Sequence, residues 1–336
     1  MIFDPDAECP LRTDESLANQ DDKKHHEGVS PFLQIDTKLS GQWPIDPMHN
    51  VSGVTKRICQ FLFSRKKNVS KVVLKPAVFQ DLSEHLNSLK PYYASEFNRK
   101  LRPLTHYPKF KASEYFRLAL YDSFYLFKDL ECKKISKVLL LFGCAIRLLS
   151  DEDFVGRYRR DADFLLRTFV KESSKLLGIL FATFNVHCLI HLPDETARHS
   201  SLIKFSAWKY ESYLGQIKRM LRAPGNTLQQ IVCRIIEKRK IFGRNQEETL
   251  PGEAISVSQP HTNGPTVQPK CEDQQFKALD IRDLGKFRTE SANDVCFVAN
   301  SGEVCVLRNI VRNKGEISLV CQAFLETDDF FTYPFR

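Results

Sequence analysis

The chain contains the stretch Phe205-Ser-Ala-Trp-Lys-Tyr-Glu-Ser-Tyr-Leu-Gly-Gln-Ile-Lys-Arg-Met-Leu-Arg222, whose apolar residues recur at the spacing of an α-helix. At 100° per residue, one side of this predicted helix gathers Tyr210, Tyr213, Leu214, Ile217, Met220 and Leu221. A narrow polar strip beside it holds Glu211, Gly215, Lys218 and Arg222. The pattern predicts a helix that buries one face and carries a single carboxylate, Glu211.

Two interpretations of Glu211 stay open from the residues alone. An acid at the edge of a buried face, with cations nearby and a glycine that admits a second backbone, suits binding of a metal ion next to a phosphate. A surface helix whose one Glu is paired by neighbouring basic residues explains the same pattern without a function. Composition alone favours the second interpretation.

The same helical spacing extends over most of the chain, which predicts a mainly α fold. Residues 1–45 are polar and contain four prolines, so we expect an extended tail there. Residues 46–243 form the predicted helical body, and 244–288 are rich in polar residues and proline, which predicts a flexible linker. Residues 289–336 alternate as short strands do and predict a small antiparallel β domain. The helices that we predict are Val51–Phe63, Ala77–Leu89, Lys111–Phe127, Leu130–Leu149, Asp153–Leu180, Asn185–Ser200, Trp208–Leu221 and Thr227–Phe242.

Composition limits the classes of protein to which the chain can belong. Its 336 residues are 42% hydrophobic, which is enough for a packed core, and the formal charge of +8 permits a polyanionic partner. The ten cysteines are scattered and form no Cys-x-x-Cys pair, so we interpret them as reduced thiols. We find neither a secretory signal nor a membrane span in the sequence, and we expect an intracellular protein.

Two further patterns could carry chemistry. Asp46 and His49 stand three residues apart at a predicted helix start, where Asp46 also suits an N-cap, and the cap is the more frequent role. His187 and His191 stand four residues apart, as zinc ligands on a helix do. No Glu follows His187 and no third ligand is evident, so packed or hydrogen-bonded histidines are favoured over a zinc enzyme.

Three blocks in order resemble the transposases of CACTA (En/Spm-type) DNA transposons in their animal form. The blocks are Asp46-Pro-Met-His-Asn-Val-x-Gly-Val-Thr-Lys-Arg57, Asn185-Val-His-x-Leu-Ile-His-Leu-x-Asp194, and Phe205-Ser-Ala-x-x-Tyr-Glu-x-Tyr-Leu-Gly-x-Ile-Lys-Arg219 followed by Leu228-Gln-Gln-Ile-Val232. Pro10-Leu-Arg-Thr-Asp-Glu-Ser16, His25-His-Glu-Gly-Val29 and Asp329-Phe-Phe-Thr-Tyr-Pro334 also resemble parts of that family. The order of the blocks along nearly the whole chain makes the resemblance specific.

The resemblance implies the last helices of an RNase H-like core with a large helical insertion, which would be the helices from Ala77 to Leu180. It implies that Glu211 is the final catalytic and metal-binding acid, and that Asp46 and His49 form the Asp-x-x-His motif beside the active site. Intact relatives use Mg²⁺ or Mn²⁺. The basic segment would hold DNA phosphate without sequence preference through Lys204, Lys209, Lys218, Arg219, Arg222 and Arg234.

The chain also departs from that family, because the strands expected to carry the first two catalytic Asp residues precede the Pro10 block in relatives. We therefore expect a catalytically incomplete transposase fragment in which Glu211 is vestigial and no cofactor is held. Further expectations are a nuclear location, or a cytoplasmic one for an unfolded remnant, and a possible homo-oligomer, with neither a membrane nor a small-molecule substrate as partner. The alternative is a domesticated protein-interaction module that does not bind DNA.

Overall fold

The computed structural model describes residues 2–5, 10–23, 27–35, 37–64, 70, 72–244, 254–266, 273–282, 284–329, 331 and 333–334, with the backbone but not the side chains of 242–244. The chain divides into two compact units. Unit 1 comprises Met1–His85, Pro103–Glu211 and Tyr333–Arg336, and unit 2 comprises Leu86–Arg102 and Ser212–Thr332. The prediction of a mainly helical protein with a C-terminal antiparallel sheet is confirmed.

The described helices follow the apolar periodicity of the sequence closely. In chain order they are α1 (Asp14–Ala18), α2 (Pro47–Phe63), α3 (Pro76–Ser88), α4 (Ala112–Arg117), α5 (Ser123–Leu126), α6 (Lys133–Ser150), α7 (Glu152–Leu177), α8 (Phe184–Cys188), α9 (Leu192–His199), α10 (Trp208–Met220) and α11 (Thr227–Arg244). A π-helical turn, Leu118–Asp122, joins α4 to α5, and a 3₁₀ turn, Leu189–His191, joins α8 to α9. Two helices predicted as continuous, Lys111–Phe127 and Asn185–Ser200, are thus interrupted.

Unit 1 is built around the helical hairpin of α6 and α7, which pack side by side. Asp151 separates the two helices and caps α7 by accepting hydrogen bonds from the backbone of Asp153 and Phe154. The buried rings of Phe142 and Phe169 stack with centroids 4.9 Å apart. This aromatic contact joins the two long helices in the core, where burial of large apolar side chains stabilises the fold most.

A glycine on α6 allows the π-helical turn to approach closely. A Cβ at Gly143 would lie 2.7 Å from the ring of Phe124 and 2.9 Å from the carbonyl oxygen of Ala119. Real Cβ atoms do not approach so near, so a larger residue would push the two segments apart.

Residues 1–45 are less extended than we predict from the sequence. The hydroxyl of Thr13 and the side chain of Ser16 form a capping box that starts α1, and Pro31–Ile35 is a 3₁₀ turn. Ile2 forms an isolated antiparallel bridge with Thr183. The capping box and this bridge order parts of a polar segment whose apolar residues do not recur at helical or strand spacing.

Unit 2 contains a six-stranded antiparallel sheet with the path β1–β2–β5–β4, in which β3 pairs with β2 and β6 with β5. Its core is Leu279, Leu307 and Ile310. The strands are β1 (Ile255–His261), β2 (Gln274–Ile281), β3 (Gly285–Arg288), β4 (Cys296–Val298), β5 (Val304–Asn313) and β6 (Glu316–Ala323).

The sheet begins earlier than the sequence analysis predicts. Strands β1, β2 and β3 lie within 244–288, for which we predict a flexible linker, so that prediction is wrong for the described part of this range. In β1 the alternation of Ile255 and Val257 with serines is short, the strand is mostly exposed, and Pro260 argues against a strand. Its backbone pairing with β2 supplies the order instead.

Candidate functional site

The carboxylate of Asp46 lies at the start of two helices. It caps α2, with Oδ1 accepting from the backbone N–H of Met48 at 3.2 Å and Oδ2 from that of His49 at 3.1 Å. Oδ1 also accepts from the N–H of Ala207, the residue before α10, at 2.8 Å. The expected cap role of Asp46 is confirmed, and the same side chain ties together two segments that are distant in sequence.

His49 completes the set of donors around this carboxylate. Its Nδ1 makes a short contact with Oδ2 of Asp46, and its side chain is 68% exposed. A carboxylate has about four lone-pair positions for hydrogen bonds. The three backbone N–H groups and this imidazole match those positions, so the Asp-x-x-His motif builds a structural junction in this chain.

Glu211 lies in the first turn of α10, with its backbone N–H bonded to the carbonyl of Ala207. Asp46 and Glu211 are therefore both linked to Ala207. The Glu211 side chain is exposed, and among the described residues we find no ion pair to it. The interpretation of a Glu paired by its basic neighbours is not seen in the structure, and neither is a partly buried metal ligand.

The apolar face of α10 is not buried as the sequence predicts. Tyr210, Tyr213 and Leu214 are 61%, 50% and 48% exposed, and among the residues of α10 Met220 is the buried one. Periodicity predicts which residues share a face but not whether a partner covers it. This part of the prediction is wrong, and the exposed face becomes an available surface.

The two predicted DNA-binding lysines of unit 1 differ in their surroundings. Lys204 forms an ion pair with Glu152 at 2.9 Å between Nζ and Oε1. Lys209 lies on exposed α10, with Nζ 5.1 Å from the centroid of the Tyr210 ring. Because Lys204 already has an anionic partner, Lys209 is the freer of the two for a phosphate.

In unit 2, Arg222 and Arg234 line the same cleft. It has a volume of about 430 Å³ and lies between the loop after α10 and the first turns of α11. Arg222 follows the end of α10, whereas Arg234 lies in α11 and pairs with Glu237 at 2.6 Å. Lys218 and Arg219 are exposed on the last turn of α10. The structure thus brings together two of the six basic residues that we predict to bind DNA.

Gln230 holds the loop of this cleft, a role that the sequence analysis missed. Its Oε1 accepts from the backbone N–H groups of Arg222 at 2.9 Å and Ala223 at 3.3 Å. Its Nε2 donates to the carbonyls of Ala223 at 2.9 Å and Gly225 at 2.7 Å. Four hydrogen bonds from one amide fix the backbone of the loop that carries Arg222. The sequence gives only a weak signal for this role of Gln230, which is a Gln in the first turn of a helix that follows a Pro-Gly turn.

The turn of the cleft needs residues that tolerate a left-handed backbone. Gly225 has φ 86° and Asn226 has φ 45° before α11 starts at Thr227. Glycine adopts this region without cost and asparagine tolerates it. The Pro224-Gly225-Asn226 turn therefore sets where α11 begins, and one side of that helix lines the cleft.

His187 and His191 approach each other, although the helix between them is interrupted. Their Nε2 atoms are 3.3 Å apart. Burial lowers the pKa of both imidazoles. The pKa of His187 is lowered further by His191, when that ring is protonated, and by Arg12, and the pKa of His191 is lowered further mainly by Arg167. Both are therefore neutral near pH 7.

Within the described part of the chain, no group of three or more His, Cys, Asp or Glu side chains could hold a metal ion. In the same residues, no helix is both long enough and apolar enough to cross a bilayer. Asp46 and Glu211 therefore do not form part of a preformed three-ligand site there.

Comparison with known proteins gives one partial match. Residues 260–336 match a family described as a domain of unknown function, DUF8592. The matched segment covers most of the sheet in unit 2. The search of curated proteins and the search of solved structures each returned no match. The matched segment is less than a quarter of the 336 residues. It does not include Asp46, Glu211 or the cleft lined by Arg222 and Arg234, which we call the arginine cleft.

Proposed function

We propose that the chain is a transposase-derived protein that binds DNA through phosphate contacts and does not cut it. The observation that carries the proposal is that Arg222 and Arg234 line one cleft beside α11, where an incoming phosphate would compete with Glu237 for Arg234. Guanidinium groups bind phosphate oxygens through two parallel N–H donors, and the bidentate geometry fits a phosphodiester. A cleft of this kind is suited to the phosphodiester backbone.

The surface of α10 fits the same partner. In the part of α10 that belongs to unit 2, Lys218 and Arg219 are exposed and would add charge, and the exposed ring of Tyr213 could stack on an unpaired base. Phosphate contacts depend on charge, and stacking depends on the flat face that every base has, so neither reads the base sequence. We therefore expect binding that tolerates changes of DNA sequence and weakens steeply with salt.

Strand cleavage is not part of the proposed function. A two-metal mechanism needs several converging carboxylates, and the lone pairs of Asp46 are already occupied by donors. Glu211 would be left as a single exposed acid. Nicking of DNA by the purified protein with Mg²⁺ or Mn²⁺, if it disappeared in Glu211→Gln, would contradict this. A nuclear location and self-association fit a transposase origin and stay predictions.

The direct test is a fluorescence-anisotropy titration of a labelled duplex with the full chain. We expect Arg222→Ala with Arg234→Ala to weaken binding by at least about tenfold, as the loss of two phosphate contacts requires. The matched control is Arg157→Ala with Arg160→Ala, which removes the same charge from exposed positions of α7. Equal weakening in both double variants would show that only net charge matters and would contradict a site at the cleft.

A second candidate function, docking of a protein partner, is favoured by one observation. Along α11, exposed apolar side chains recur every four residues, at Leu228 (74%), Val232 (46%) and Ile236 (46%). An amphipathic helix with such a stripe can lie in an apolar groove, and its basic residues favour an acidic partner. Ca²⁺-loaded calmodulin is a suitable probe of that chemistry. Binding of calmodulin that is lost in Val232→Ser, with DNA binding unaffected by the arginine changes, would favour this function over the first.

A further inference from the structure

The pair formed by His187 and His191 lies outside the arginine cleft and the Asp46 junction. Helix α8 ends at Cys188, and the 3₁₀ turn Leu189–His191 brings the second imidazole back towards the first. The two rings are inclined at 74° with centroids 5.1 Å apart. Their Nε2 atoms are within hydrogen-bonding distance of each other, 3.3 Å apart.

This separation agrees with the spacing of two ligands on one metal ion. Zinc binds imidazole nitrogen at about 2.0–2.1 Å, so two such nitrogens at a tetrahedral angle stand about 3.3–3.4 Å apart. A hydrogen bond explains the same distance when one imidazole carries its proton on Nε2, and binding of an ion to both nitrogens would require that proton to lie on Nδ1 instead. An ion could therefore bind both nitrogens without spreading the rings.

Neighbouring residues hold the imidazoles in place. The ring of Phe3 stacks on His187 with centroids 4.3 Å apart and an interplanar angle of 9°. Cys188 and Leu189, between the two histidines, are buried and anchor the turn. A chelate whose ligands are fixed in advance loses little conformational entropy when the ion binds.

The charges around the pair do not exclude a cation. Arg167 acts on His191, but its Nε lies 3.0 Å from both carboxylate oxygens of Asp163. Arg198 pairs with Glu195 at 3.4 Å, and Asp194 is exposed and acts on His191 with the opposite sign.

We propose that His187 and His191 form a two-imidazole site for a divalent transition ion of the Zn²⁺ or Cu²⁺ type. Water would occupy the other coordination positions, since the described residues offer no third protein ligand. Such a site exchanges its ion more readily than a closed four-ligand site. The proposal is independent of DNA binding.

The test uses the full chain in which exposed Cys233, Cys296 and Cys321 are replaced by Ser, so that thiols do not compete for the metal. Cu²⁺ is added at one equivalent, and electron paramagnetic resonance counts the nitrogens bound to it. Two imidazole nitrogens are expected in this background and one in either His187→Gln or His191→Gln. A Zn²⁺ competition titration should show at least about tenfold weaker binding in each variant.

His106→Gln is the matched control because His106 is exposed and lies in another turn, Leu104–Lys109. Gln keeps much of the side-chain volume, and circular dichroism identifies any variant that has not folded. An unchanged nitrogen count and Zn²⁺ affinity in both folded variants would overturn the proposal. So would a Cu²⁺ signal without coordinated imidazole in the background that carries the three Cys→Ser changes.

Discussion

The backbone N–H of Ala207 donates a 2.8 Å hydrogen bond to Oδ1 of Asp46, across 161 residues of sequence. The carboxylate that caps α2 therefore also marks the start of α10, the helix that carries Glu211. A hydrogen bond to a charged acceptor is stronger than a neutral one. This bond makes the local Asp46–His49 motif part of the long-range architecture of unit 1.

Loss of the Asp46 carboxylate should therefore destabilise the protein more than loss of an ordinary cap. We expect Asp46→Ala to lower the free energy of unfolding by about 2 kcal/mol or more, because it removes a cap and a charge-assisted bond together. Urea denaturation measures this. His49→Ala, which removes an exposed donor, should cost less than about 0.5 kcal/mol. Equal losses in the two variants would show that the junction with Ala207 contributes nothing.

A buried ion pair next to the π-helical turn gives a second stability test. Nε of Arg117 lies 3.2 Å from Oδ2 of Asp122, with the two side chains 5% and 4% exposed. Removing one partner leaves a buried charge, so Asp122→Ala should cost about 3–5 kcal/mol. The exposed pair Arg167–Asp163 is the comparison, and Asp163→Ala should cost less than about 1 kcal/mol. Thermal or urea unfolding that ranks the two variants in the reverse order would contradict the burial of Arg117.

The histidine pair should make stability fall as the solution becomes acidic. The pKa values of His187 and His191 are lowered from 6.5 in the folded protein, so protonation favours the unfolded chain. Their contribution is fully present above the unfolded pKa near 6.5 and is lost as the pH falls through the lowered values.

Urea unfolding between about pH 7 and pH 5, with a chelator present, measures this loss. The buried carboxyl of Glu195 has the opposite sign, since its raised pKa gives a contribution that is lost as the pH rises. The variant His191→Gln isolates the histidine part and should flatten the dependence. The same slope in the variant and the wild type would count against the histidines.

Thiol reactivity should separate buried from exposed cysteines. Burial raises the pKa of Cys59 to about 12 and those of Cys144 and Cys188 to about 11, which suppresses the reactive thiolate. Cys233 and Cys296 are exposed. Under native conditions a disulfide reagent should modify the exposed pair within minutes and leave the other three intact until urea is added. Mass spectrometry of the labelled peptides measures the modified fraction of each cysteine.

One acid in the arginine cleft should oppose DNA binding. Glu237 lines the cleft and pairs with Arg234 at 2.6 Å. Glu237→Gln removes a negative charge and frees the guanidinium, so it should raise DNA affinity by several fold at low salt. The same change at Glu131, an exposed acid of unit 1, should have a smaller effect. No gain in Glu237→Gln would show that phosphate does not enter the cleft.

Much of the helical fold could be predicted from the sequence because apolar side chains recur at 3.6-residue spacing in α2, α6 and α7. The apolar spacing gave no sign that the predicted helix Asn185–Ser200 is interrupted, since a 3₁₀ turn keeps almost the same spacing, but Pro193, in the first turn of α9, is a signal for the break. Strand β1 was missed because its order comes from backbone pairing with β2, which leaves little trace in side-chain pattern.

The candidate site was predictable in part, through residue types rather than through positions. Charge density predicts that Arg222 and Arg234 belong to a basic segment, but their common cleft depends on the turn held by Gln230. Asp46 was recognisable as a cap, whereas its bond to Ala207 is a tertiary contact that local sequence cannot encode. Exposure of the apolar face of α10 could not be predicted because periodicity does not reveal what covers a helix.

The most direct test of the central claim is the salt dependence of DNA affinity for the wild type and the Arg222→Ala, Arg234→Ala double variant. The logarithm of the binding constant falls with the logarithm of salt concentration by about 0.9 for each phosphate contact, so the double variant should have a slope shallower by about two. An affinity and a slope that both match the wild type would contradict the account.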